Sequence, residues 1–397
     1  MSSNIAISGL NAINEQLDAI SNNIANSGTV GFKSGRAEFA SMYAEGQPLG
    51  VGVTGVTESI NKGGSIFSSG NSLDLAINGS GFFVMRDSSG STAYTRAGYM
   101  QADSDGFLVN NQGMRLQGYP VDANGELQVG TVGDLKVASG SIPAQATTSL
   151  DFSANLDANA DIPATATFDP SDNTSYNNTY ATQVHDSLGR EHTLNQYYVK
   201  TGENSWDTYY YMDGAPIASP SPQAMTFDNQ GILTSPTDPV ALSVAIPGAA
   251  NLDIGVNYNG TTQFGSDFSV SSNNSDGYSS GERTGQMIDE DGSVYATFSN
   301  GERMLQGQVI LANFPNPNGL QSTDGTTWVQ TQASGAPISG APGTGLNGAL
   351  TAGALESSNV DLTSELVNLM TAQRNYQANT KVISTDDKMM TALFQAV

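Results

Sequence analysis

The N-terminal end of the chain carries a helical pattern of apolar positions. These positions recur at alternating spacings of four and three residues, which is the seam of a heptad repeat. The seam consists of Ala6, Leu10, Ile13, Leu17, Ile20 and Ile24. Gly28 and Gly31 follow the seam, and glycine commonly follows the end of a helix. We therefore predict a helix of about 20 residues, which spans about 30 Å.

The C-terminal end of the chain places an apolar residue at every seventh position. This stripe consists of Leu355, Leu362, Leu369, Tyr376, Ile383 and Met390, and it is widened by Leu366, Met370 and Phe394. Asp361 is suited to cap the start of a helix, and Glu365 adds an acid to its first turn, where acids are favoured. We predict one long helix over 360–396, with an interruption near Ser384-Thr385.

Neither apolar stripe can be buried by its own helix. A single amphipathic helix ordinarily packs on the core of its own domain, but here two stripes lie at opposite ends of the chain. Isolated helices of this length are marginally stable in water, so the two helices pair with each other or with copies of themselves. Few charges flank the stripes, which weakens the charge code of a discrete coiled-coil dimer. The pattern favours burial inside a larger assembly.

Between the helices, short apolar runs alternate with turn residues. Phe82–Met85 and Ala93–Thr95 flank a Ser-Ser-Gly turn, which is a hairpin signal. Ser293–Phe298 lies between Asp-Gly and Asn-Gly turns, and Gln308–Leu311 has the composition of a buried strand. Short strands at this regular spacing predict a β-sandwich or barrel.

The segment 146–280 differs from its surroundings in charge and aromatic content. It holds two bases, Arg190 and Lys200, against 15 acids. Its clearest element is a tyrosine-rich hairpin formed by His192–Lys200 and Trp206–Met212, joined by the loop 201–205. We interpret this segment as a β domain inserted into another β domain.

The predicted fold class is mainly β with terminal α-helices. The two helices form a coiled-coil-like assembly domain, followed by two nested antiparallel β-sandwich or barrel domains. The predicted boundaries are 1–30 with 355–397 for the helical domain, 31–70 with 335–354 for Gly-, Ser- and Pro-rich linkers, 71–145 with 281–334 for the inner β domain, and 146–280 for the outer one.

The charge balance excludes several classes of partner. The chain has 14 Lys and Arg against 38 Asp and Glu, and its formal net charge is -24. Proteins that bind nucleic acid or an anionic membrane neutralise phosphates with basic residues, so neither partner is expected. The sequence has no apolar run long enough for a membrane-spanning helix. Its first basic residue is Lys33, so we expect export without a cleaved signal peptide.

The candidate chemistry in the sequence is sparse. The two histidines, His185 and His192, flank Asp186-Ser187, but no Gly-x-Ser-x-Gly turn accompanies them. Because such residues occur often by accident, polar positions on a strand and a turn explain them better than a catalytic triad does. The chain also contains no cysteine, which removes thiolate ligands and nucleophiles.

Two acidic turns, which begin at Asp103 and Asp289, resemble a calcium-binding loop but lack its pattern. Counting from Asp103 or Asp289, neither segment places glycine at position six and glutamate at position twelve of an EF-hand loop. Hairpin turns explain both segments. We therefore predict no catalytic residue, no metal site and no cofactor, and we do not expect an enzyme.

A secreted adhesin with a sugar-binding face is an alternative hypothesis. In this hypothesis, Tyr197, Tyr198 and the tyrosines at 209–211 form a face on which sugars stack. Alternating tyrosines on strands more often pack in a core or across strands. A glycan array without binding would exclude this alternative.

Both ends of the chain resemble the terminal signatures of the bacterial flagellar rod and hook family. At the N-terminus the matching stretches are Gly-Leu-Asn-Ala at 9–12, 17–26 and Gly-Phe-Lys at 31–33. At the C-terminus they are 353–362 and 373–379. Both sets match over many consecutive positions and lie at the correct ends of the chain.

Internal stretches resemble the hook members of that family in particular. The stretches 79–84 and 94–98 are shared by rod and hook members, whereas 184–192 is typical of hook members. The stretch 313–320, with Trp328, fits hook and distal-rod members. The length of the chain and its acidic insertion suit a hook member better than the shorter distal-rod members.

The resemblance implies a structural subunit that polymerises into a curved, flexible, hollow tube. Such a tube is a universal joint that transmits motor torque from the rod to the filament. The resemblance implies that the terminal helices make the self-assembly contacts, and that the unfolded subunit passes through the flagellar export apparatus to an extracellular position. Rod proteins, a hook cap and a hook–filament junction protein are the implied partners. A straight distal-rod assembly is the alternative, which electron microscopy of the polymer distinguishes.

Overall fold

The two long helices predicted from the apolar stripes are present. A computed structural model of the chain describes residues 2–44, 47–122, 125–137, 140–218 and 220–396. Helix α1 spans Ser2–Ala25 and helix α2 spans Leu362–Ala396. Asp361 caps α2, because its Oδ1 accepts the backbone N–H groups of Thr363 and Ser364 at 3.0 and 3.2 Å.

The interruption predicted inside α2 is wrong. The helix continues through Ser384 and Thr385. Both hydroxyls donate to the carbonyl oxygen of Lys381, at 3.0 and 2.8 Å. Hydroxyls that bond back to the preceding turn are compatible with a continuous helix.

A long β-hairpin follows α1 where the composition predicted a linker. Strands β1 (Gly35–Ala44) and β2 (Gln47–Glu58) pair antiparallel, with Phe39 opposite Val53 and Ala37 opposite Val56. These cross-strand apolar pairs stabilise a sheet despite the surrounding glycines and serines. The linker prediction for 31–70 is therefore wrong over the hairpin. The predicted linker 335–354 likewise contains strands, at Ile338–Gly340 and Ala349–Ala352.

The strands that precede and follow the segment predicted as an insertion are short. Those before it are β3 (Ile66–Ser68), β4 (Leu75–Asn78), β5 (Phe82–Arg86), β6 (Thr92–Thr95), β7 (Gln101–Ala102), β8 (Leu108–Val109), β9 (Arg115–Pro120) and β10 (Gly133–Asp134). Those after it are β22 (Arg283–Ile288), β23 (Ser293–Phe298), β24 (Arg303–Val309), β25 (Leu311–Asn313), β26 (Gln321–Thr323), β27 (Thr327–Val329), β28 (Ile338–Gly340), β29 (Ala349–Ala352) and β30 (Ala354–Glu356), with a 3-10 turn at Pro317–Gly319.

The strands between these two groups are β11 to β21. They are β11 (Ser149–Asp157), β12 (Asn178–His185), β13 (Glu191–Gly202), β14 (Ser205–Met212), β15 (Ala215–Pro216), β16 (Gln223–Phe227), β17 (Leu233–Ser235), β18 (Val240–Val244), β19 (Leu252–Asn257), β20 (Thr262–Phe264) and β21 (Ser269–Ser275). The described chain is mainly β with one long helix at each end, as the sequence predicts.

The chain divides into two compact units. Unit 1 consists of Met1–Ser139, Gly285–Thr297 and Arg303–Val397, and unit 2 consists of Gly140–Thr284 and Phe298–Glu302. The main sheet of unit 1 has the order β22-β23-β24-β9-β5-β6-β27-β26. The predicted hairpin over Phe82–Met85 and Ala93–Thr95 is β5 and β6 of this sheet. The predicted strand over Gln308–Leu311 is divided at Ile310 between β24 and β25.

Unit 2 is a sandwich of two sheets around one core. One sheet has the order β18-β19-β11-β20, with β21 also on β11, and the other has the order β12-β13-β14-β16-β17. Trp206, Tyr198 and Tyr210 are fully buried and pack against residues of the first sheet such as Phe152 and Ile254. Buried and half-buried residues alternate along β14, as a strand with one face on a core requires.

Two details of unit 2 differ from the prediction. Strand β11 pairs parallel with β19 and with β20, so this sheet is mixed rather than antiparallel. The predicted hairpin of β13 and β14 is present, but its turn is tighter than the loop 201–205. Gly202 pairs with Ser205, and Asn204 has a φ of 55, a conformation that asparagine tolerates better than most residues.

Candidate functional site: the terminal helix pair and its buried junction

Helix α1 packs its predicted seam against α2 and the hairpin. Ile13 and Ile20 of α1 and Ala372 of α2 are buried against one another, and Leu17, Ile24 and Leu369 pack around them half-buried. Of the other two predicted seam residues, Ala6 is buried and Leu10 is half-buried. The predicted N-terminal stripe is thus the covered side of α1.

The stripe of α2 remains largely in solvent. The exposed members are Leu362, Leu366, Met370, Tyr376 and Met390, while Leu369 and Ile383 are half-buried. Among the described side chains of α2, Ala372 alone is buried. Phe394 lies in α2, but its side chain is outside the described residues. Helix α2 therefore presents most of its apolar surface to water, which is typical of an interaction surface.

Leu355 is not part of the helical stripe, contrary to the prediction. It lies in β30, is 2% exposed, and pairs with Phe67 of β3. The heptad spacing between Leu355 and Leu362 arises from two different elements, a strand and a helix. Gly353 has a φ of 70, a left-handed conformation that separates β29 from β30 and is suited to glycine.

Helix α1 and the hairpin approach each other closely at Ser8. The Oγ of Ser8 accepts the N–H of Val51 at 3.2 Å. A Cβ added to Gly50 would lie only 2.0 Å from this Oγ, so only glycine fits there. Beside this contact, α1, α2 and the hairpin line a groove of about 340 Å³ that includes Ile13, Phe39 and Ala378.

A buried ion cluster joins the chain after α1 to the chain before α2. Lys33 Nζ lies 2.5 Å from Glu356 Oε1, and Arg96 Nη1 lies 3.2 Å from Glu356 Oε2. The three side chains are 0%, 7% and 1% exposed for Lys33, Arg96 and Glu356. Further hydrogen bonds support the cluster, because Lys33 donates to the Lys62 carbonyl and Arg96 to the Gly79 carbonyl. The Nε of Arg96 is buried without a hydrogen-bond partner among the described residues.

The electrostatics of the cluster depend on Glu356. Burial lowers the pKa of Lys33 and of Arg96, and attraction to the Glu356 carboxylate opposes the decrease in both cases. One carboxylate thus forms ion pairs with two buried cations, and the three charges together leave an excess of one positive charge. Removing one partner of a buried ion pair destabilises a protein by about 3–5 kcal/mol, because the remaining charge is uncompensated.

Two asparagines extend this connection. Asn359 Oδ1 accepts the N–H of Ser34 at 2.7 Å, and its Nδ2 donates to the carbonyls of Ser59 and Lys62 at 3.0 and 2.9 Å. Asn23 exchanges two hydrogen bonds of 2.8 Å with the backbone of Gly35. These amides fix the chain at the C-terminal end of α1 and just before α2. We call Lys33, Arg96, Glu356, Asn359 and Asn23 the junction.

Sequence reasoning did not identify the junction as a site. Lys33, Arg96, Glu356 and Asn359 lie in stretches that carry the family resemblance, at 31–33, 94–98 and 353–362. Lys33 and Glu356 are 323 positions apart in the chain. One signal in the sequence could have indicated the junction. The chain has only 14 bases, and one of them, Lys33, lies in a signature stretch, as does the acid Glu356.

The histidine cluster of unit 2 has the geometry of a structural clamp. His192 Nδ1 lies 2.6 Å from Asp213 Oδ2, and His192 Nε2 lies 3.3 Å from Asp186 Oδ2. Both ring nitrogens therefore face carboxylates. Ser187 instead accepts the N–H of Ala250 at 3.1 Å, so the imagined Ser/His/Asp triad is not assembled.

In this clamp, the histidine and the carboxylates each favour the charged form of the other. Partial burial alone would lower the pKa of His192, but hydrogen bonds to Asp213 and Asp186 outweigh it and raise the pKa. Burial of Asp186 would raise its pKa, but hydrogen bonds from Arg190, Leu188 and His192 hold that pKa far below its usual range. The protonated imidazole is thus favoured between two carboxylates.

The remaining candidate motifs are structural. Asp103 Oδ1 accepts the N–H groups of Asp105 and Phe107, as expected of a hairpin turn. In the described part of the chain, His, Asp and Glu form no group of three or more that could hold a metal ion.

Tyr198 and Tyr210 lie in the core of unit 2, so the tyrosines of the sugar-binding hypothesis do not share one open face. Neither α1 nor the described α2 is apolar enough to cross a membrane.

Four family models match successive parts of the chain. They describe a flagella basal body rod protein at 4–33, a flagellar hook protein FlgE/F/G D1 domain at 76–167, a flagellar basal body protein FlaE D2 domain at 155–278, and a flagellar basal body rod FlgEFG protein C-terminal region at 351–396. The first match covers α1 from Asn4 onward, and the last match contains the whole of α2.

Full-length relatives carry the same family description. The flagellar hook protein FlgE of Salmonella typhimurium is 39% identical over 99% of each chain. The flagellar hook proteins FlgE of Escherichia coli and Rhizobium meliloti are 38% and 34% identical, over 98% of this chain and 98% and 96% of their own. The crystal structure of Helicobacter pylori flagellar hook protein FlgE2 shares the fold with a TM-score of 0.53 at 14% identity, over 72% of this chain and 98% of that chain. The chain belongs to the flagellar hook protein family.

Proposed function

We propose that this chain is the structural subunit of the bacterial flagellar hook. Copies of it polymerise into a curved, flexible, hollow tube that transmits motor torque from the rod to the filament. Full-length similarity to flagellar hook proteins supports this assignment. The role is structural, so no catalytic residue or cofactor takes part.

The observation that carries the assembly mechanism is the exposed stripe of α2. Leu366 and Met370 are 51% and 61% exposed, although they lie on a helix whose opposite side packs on α1. Fully burying an exposed Leu or Met side chain contributes about 1.5–3 kcal/mol, and covering the exposed part of these two side chains contributes a fraction of that. Neighbouring copies cover this stripe in the polymer. The helical assembly domain of 1–30 and 355–397 thus supplies the contacts between subunits.

The junction holds the helix pair on the rest of unit 1 during this assembly. Lys33, Glu356 and Arg96 connect the helix ends to strands of the β fold. A rigid connection lets torque applied to one part of unit 1 reach the other. The buried ions also fix one arrangement of the chain, because alternative packings would leave charges unpaired.

The proposed location and partners follow from the same assignment. The subunit is exported through the flagellar export apparatus to an extracellular position. Rod proteins and a hook–filament junction protein contact the two ends of the tube, and a hook cap directs its growth.

The decisive experiment compares two single charges on neighbouring faces of α2. Met370→Glu places a carboxylate on the exposed stripe, and Thr371→Glu places one on the next exposed residue. In the full chain, we expect Met370→Glu to abolish sedimentable polymer and Thr371→Glu to retain it, with unchanged circular dichroism for both. Polymerisation of Met370→Glu at the wild-type level would refute the role of α2.

Electron microscopy of the wild-type polymer tests the assignment to the hook itself. A curved hollow tube is the expected form. A straight rod would instead assign the chain to the distal rod, the sister function within the family.

A further inference from the structure

One face of unit 2 carries a cluster of aromatic rings outside the core. The cluster lies on the face of β13 and β14 that points away from the core, and the segment between β11 and β12 covers it. Its members are Phe168, Tyr176, Tyr197, Tyr209 and Tyr211. All five residues are half-buried, so each keeps part of its surface in solvent. We call this group the outer tyrosine cluster.

Tyr197 lies beside two other tyrosines of the cluster. The ring centroids of Tyr176 and Tyr197 are 5.1 Å apart, and those of Tyr197 and Tyr211 are 5.6 Å apart. Tyr209 differs, because Phe168 stacks on it at 4.1 Å and 14°. Phe168 also contacts Tyr197 at 5.3 Å, which fixes one side of that ring.

The same strands provide an internal comparison on their opposite face. Tyr198 and Tyr210 alternate with Tyr197, Tyr209 and Tyr211, and both are completely buried. The hydroxyls of Tyr210 and Tyr258 share a hydrogen bond of 2.8 Å inside the core. These buried phenols are close together but have no contact with solvent.

This difference decides which tyrosines can react with an oxidant. One-electron oxidation of a phenol at neutral pH also releases its proton, since a cationic phenol radical is strongly acidic. A buried phenol has neither access to the oxidant nor water to accept that proton, whereas a half-buried phenol has both. Unit 2 has no cysteine, and its tryptophan Trp206 and its methionines Met212 and Met225 are buried, so these easily oxidised side chains do not compete beside the cluster. The exposed methionines, such as Met304 and Met370, lie in unit 1.

We propose that Tyr176 and Tyr197 are a site of oxidative dityrosine formation. A one-electron oxidant, of the peroxidase or photo-oxidised metal-complex class, removes one electron from each phenol, and each phenol releases one proton to water. The two radicals join through a new carbon–carbon bond between their ring carbons next to the hydroxyls. Both rings then regain aromaticity by moving the ring hydrogen to the oxygen. The product has lost two hydrogen atoms, and the oxidant has gained two electrons.

Tyr176 is the preferred partner because it lies outside a strand. Its ring is closer to Tyr197 than the ring of Tyr211 is, and its backbone is in the loop before β12. The ring can therefore turn to bring the reacting carbons together, whereas Tyr211 is held in β14. The bond joins the 158–177 segment covalently to β13. That segment is otherwise held by hydrogen bonds such as Asn177 N–H to the Tyr198 carbonyl at 2.9 Å.

The test uses the full-length protein with photoactivated ruthenium tris-bipyridine and persulfate as the oxidant. The monomer fraction is separated, its dityrosine fluorescence is measured, and the cross-linked peptides are identified by mass spectrometry. We expect one bridge that contains Tyr176 and Tyr197. We expect Tyr176→Phe and Tyr197→Phe to lose this bridge, and the matched variants Tyr211→Phe and Tyr210→Phe to retain it. Circular dichroism confirms that each variant, which keeps its ring, remains folded.

Three results would overturn the proposal. They are a wild-type monomer without dityrosine, a bridge from Tyr197 to Tyr211 in place of Tyr176, and a Tyr176→Phe monomer whose dityrosine fluorescence equals that of the wild type.

Discussion

The core of unit 2 and the exposed side of α2 contain the same kinds of apolar residue, but only the core is covered. In unit 2, Leu194, Trp206 and Val256 are fully buried between two sheets. On α2, Leu366 and Met370 lie more than half in solvent. A sandwich supplies both faces of its core from one chain. A helix pair covers only the side where the two helices meet.

This comparison separates residues that fold the subunit from residues that join subunits. A buried side chain in unit 2 contributes to the free energy of unfolding of the single chain. An exposed apolar side chain on α2 contributes only after a neighbour covers it. The junction belongs to the first class, although it connects the assembly helices to unit 1. The comparison predicts large effects of mutations at buried positions and negligible effects at the stripe in the monomer.

The largest effect on monomer stability is expected at the junction. Glu356→Gln leaves Lys33 and Arg96 buried without a carboxylate, which lowers the free energy of unfolding by about 3–5 kcal/mol. Hydrogen exchange of the full-length monomer measures the loss as faster exchange around 31–33 and 354–359. The control is Glu38→Gln, which breaks an exposed pair with Arg36 and is expected to change little. Equal exchange in both variants would contradict a stabilising role for the junction.

The next effect is a core cavity in unit 2. Leu194 is 0% exposed, and Leu194→Ala is expected to lower the free energy of unfolding of unit 2 by about 2–5 kcal/mol. Urea denaturation followed by tryptophan fluorescence measures this change in a Trp328→Phe background, where the buried Trp206 is the remaining tryptophan. A midpoint equal to that of the wild type would mean that the sandwich does not depend on this core.

The stability of unit 2 is expected to decrease as the pH rises above neutrality. The folded pKa of His192 is raised above its unfolded value of about 6.5. Its contribution is therefore complete below about pH 6.5 and is lost as the pH rises through the folded pKa. His192→Gln should remove this dependence, which urea midpoints from pH 6 to 9 would measure. A wild-type slope that persists in the variant would assign the dependence to other groups.

On the acid side, the same clamp weakens for a different reason. The pKa values of Asp186 and Asp213 are lowered, so their contribution is present above their unfolded values and is lost only as the pH falls through the lower folded values. Denaturation below pH 4 measures this loss of stability. We expect Asp213→Asn to reduce the loss and to leave the exposed stripe of α2 unaffected.

The smallest effect on the monomer is expected on that stripe. Leu366→Ala removes the same atoms as Leu194→Ala, but from a side chain that is 51% exposed, so the monomer should change by less than about 0.5 kcal/mol. Its critical concentration for polymerisation should nevertheless rise. A loss of monomer stability comparable with that of Leu194→Ala would show that the stripe is covered within the single chain.

Several elements could be predicted from local sequence because a single period defines each of them. The seam from Ala6 to Ile24 marks α1, and the apolar positions from Leu362 onward mark α2. The alternation of residues in β14 marks a strand with one buried face. The same rules fail where residues of two different elements happen to lie seven positions apart. Leu355 is seven positions before Leu362, which matches a heptad, although Leu355 lies in a strand.

Other features depend on contacts between distant parts of the chain. The composition of 31–70 predicted a linker, but pairing of Phe39 with Val53 makes a hairpin. The interruption predicted near Ser384 failed for a local reason instead, because both hydroxyls find an acceptor in the preceding turn. The junction could not be predicted, because no local pattern indicates that Lys33 and Glu356 meet.

The sequence by itself determined two terminal helices with apolar stripes, a β-rich middle, a net charge of -24 and the absence of thiol chemistry. These properties depend on composition and short periods, which act between neighbouring residues. Only the tertiary structure decided which side of each helix is covered, which ions are buried, and which tyrosines face solvent. Burial depends on residues brought together from across the chain, and it sets the energies of both apolar and charged side chains.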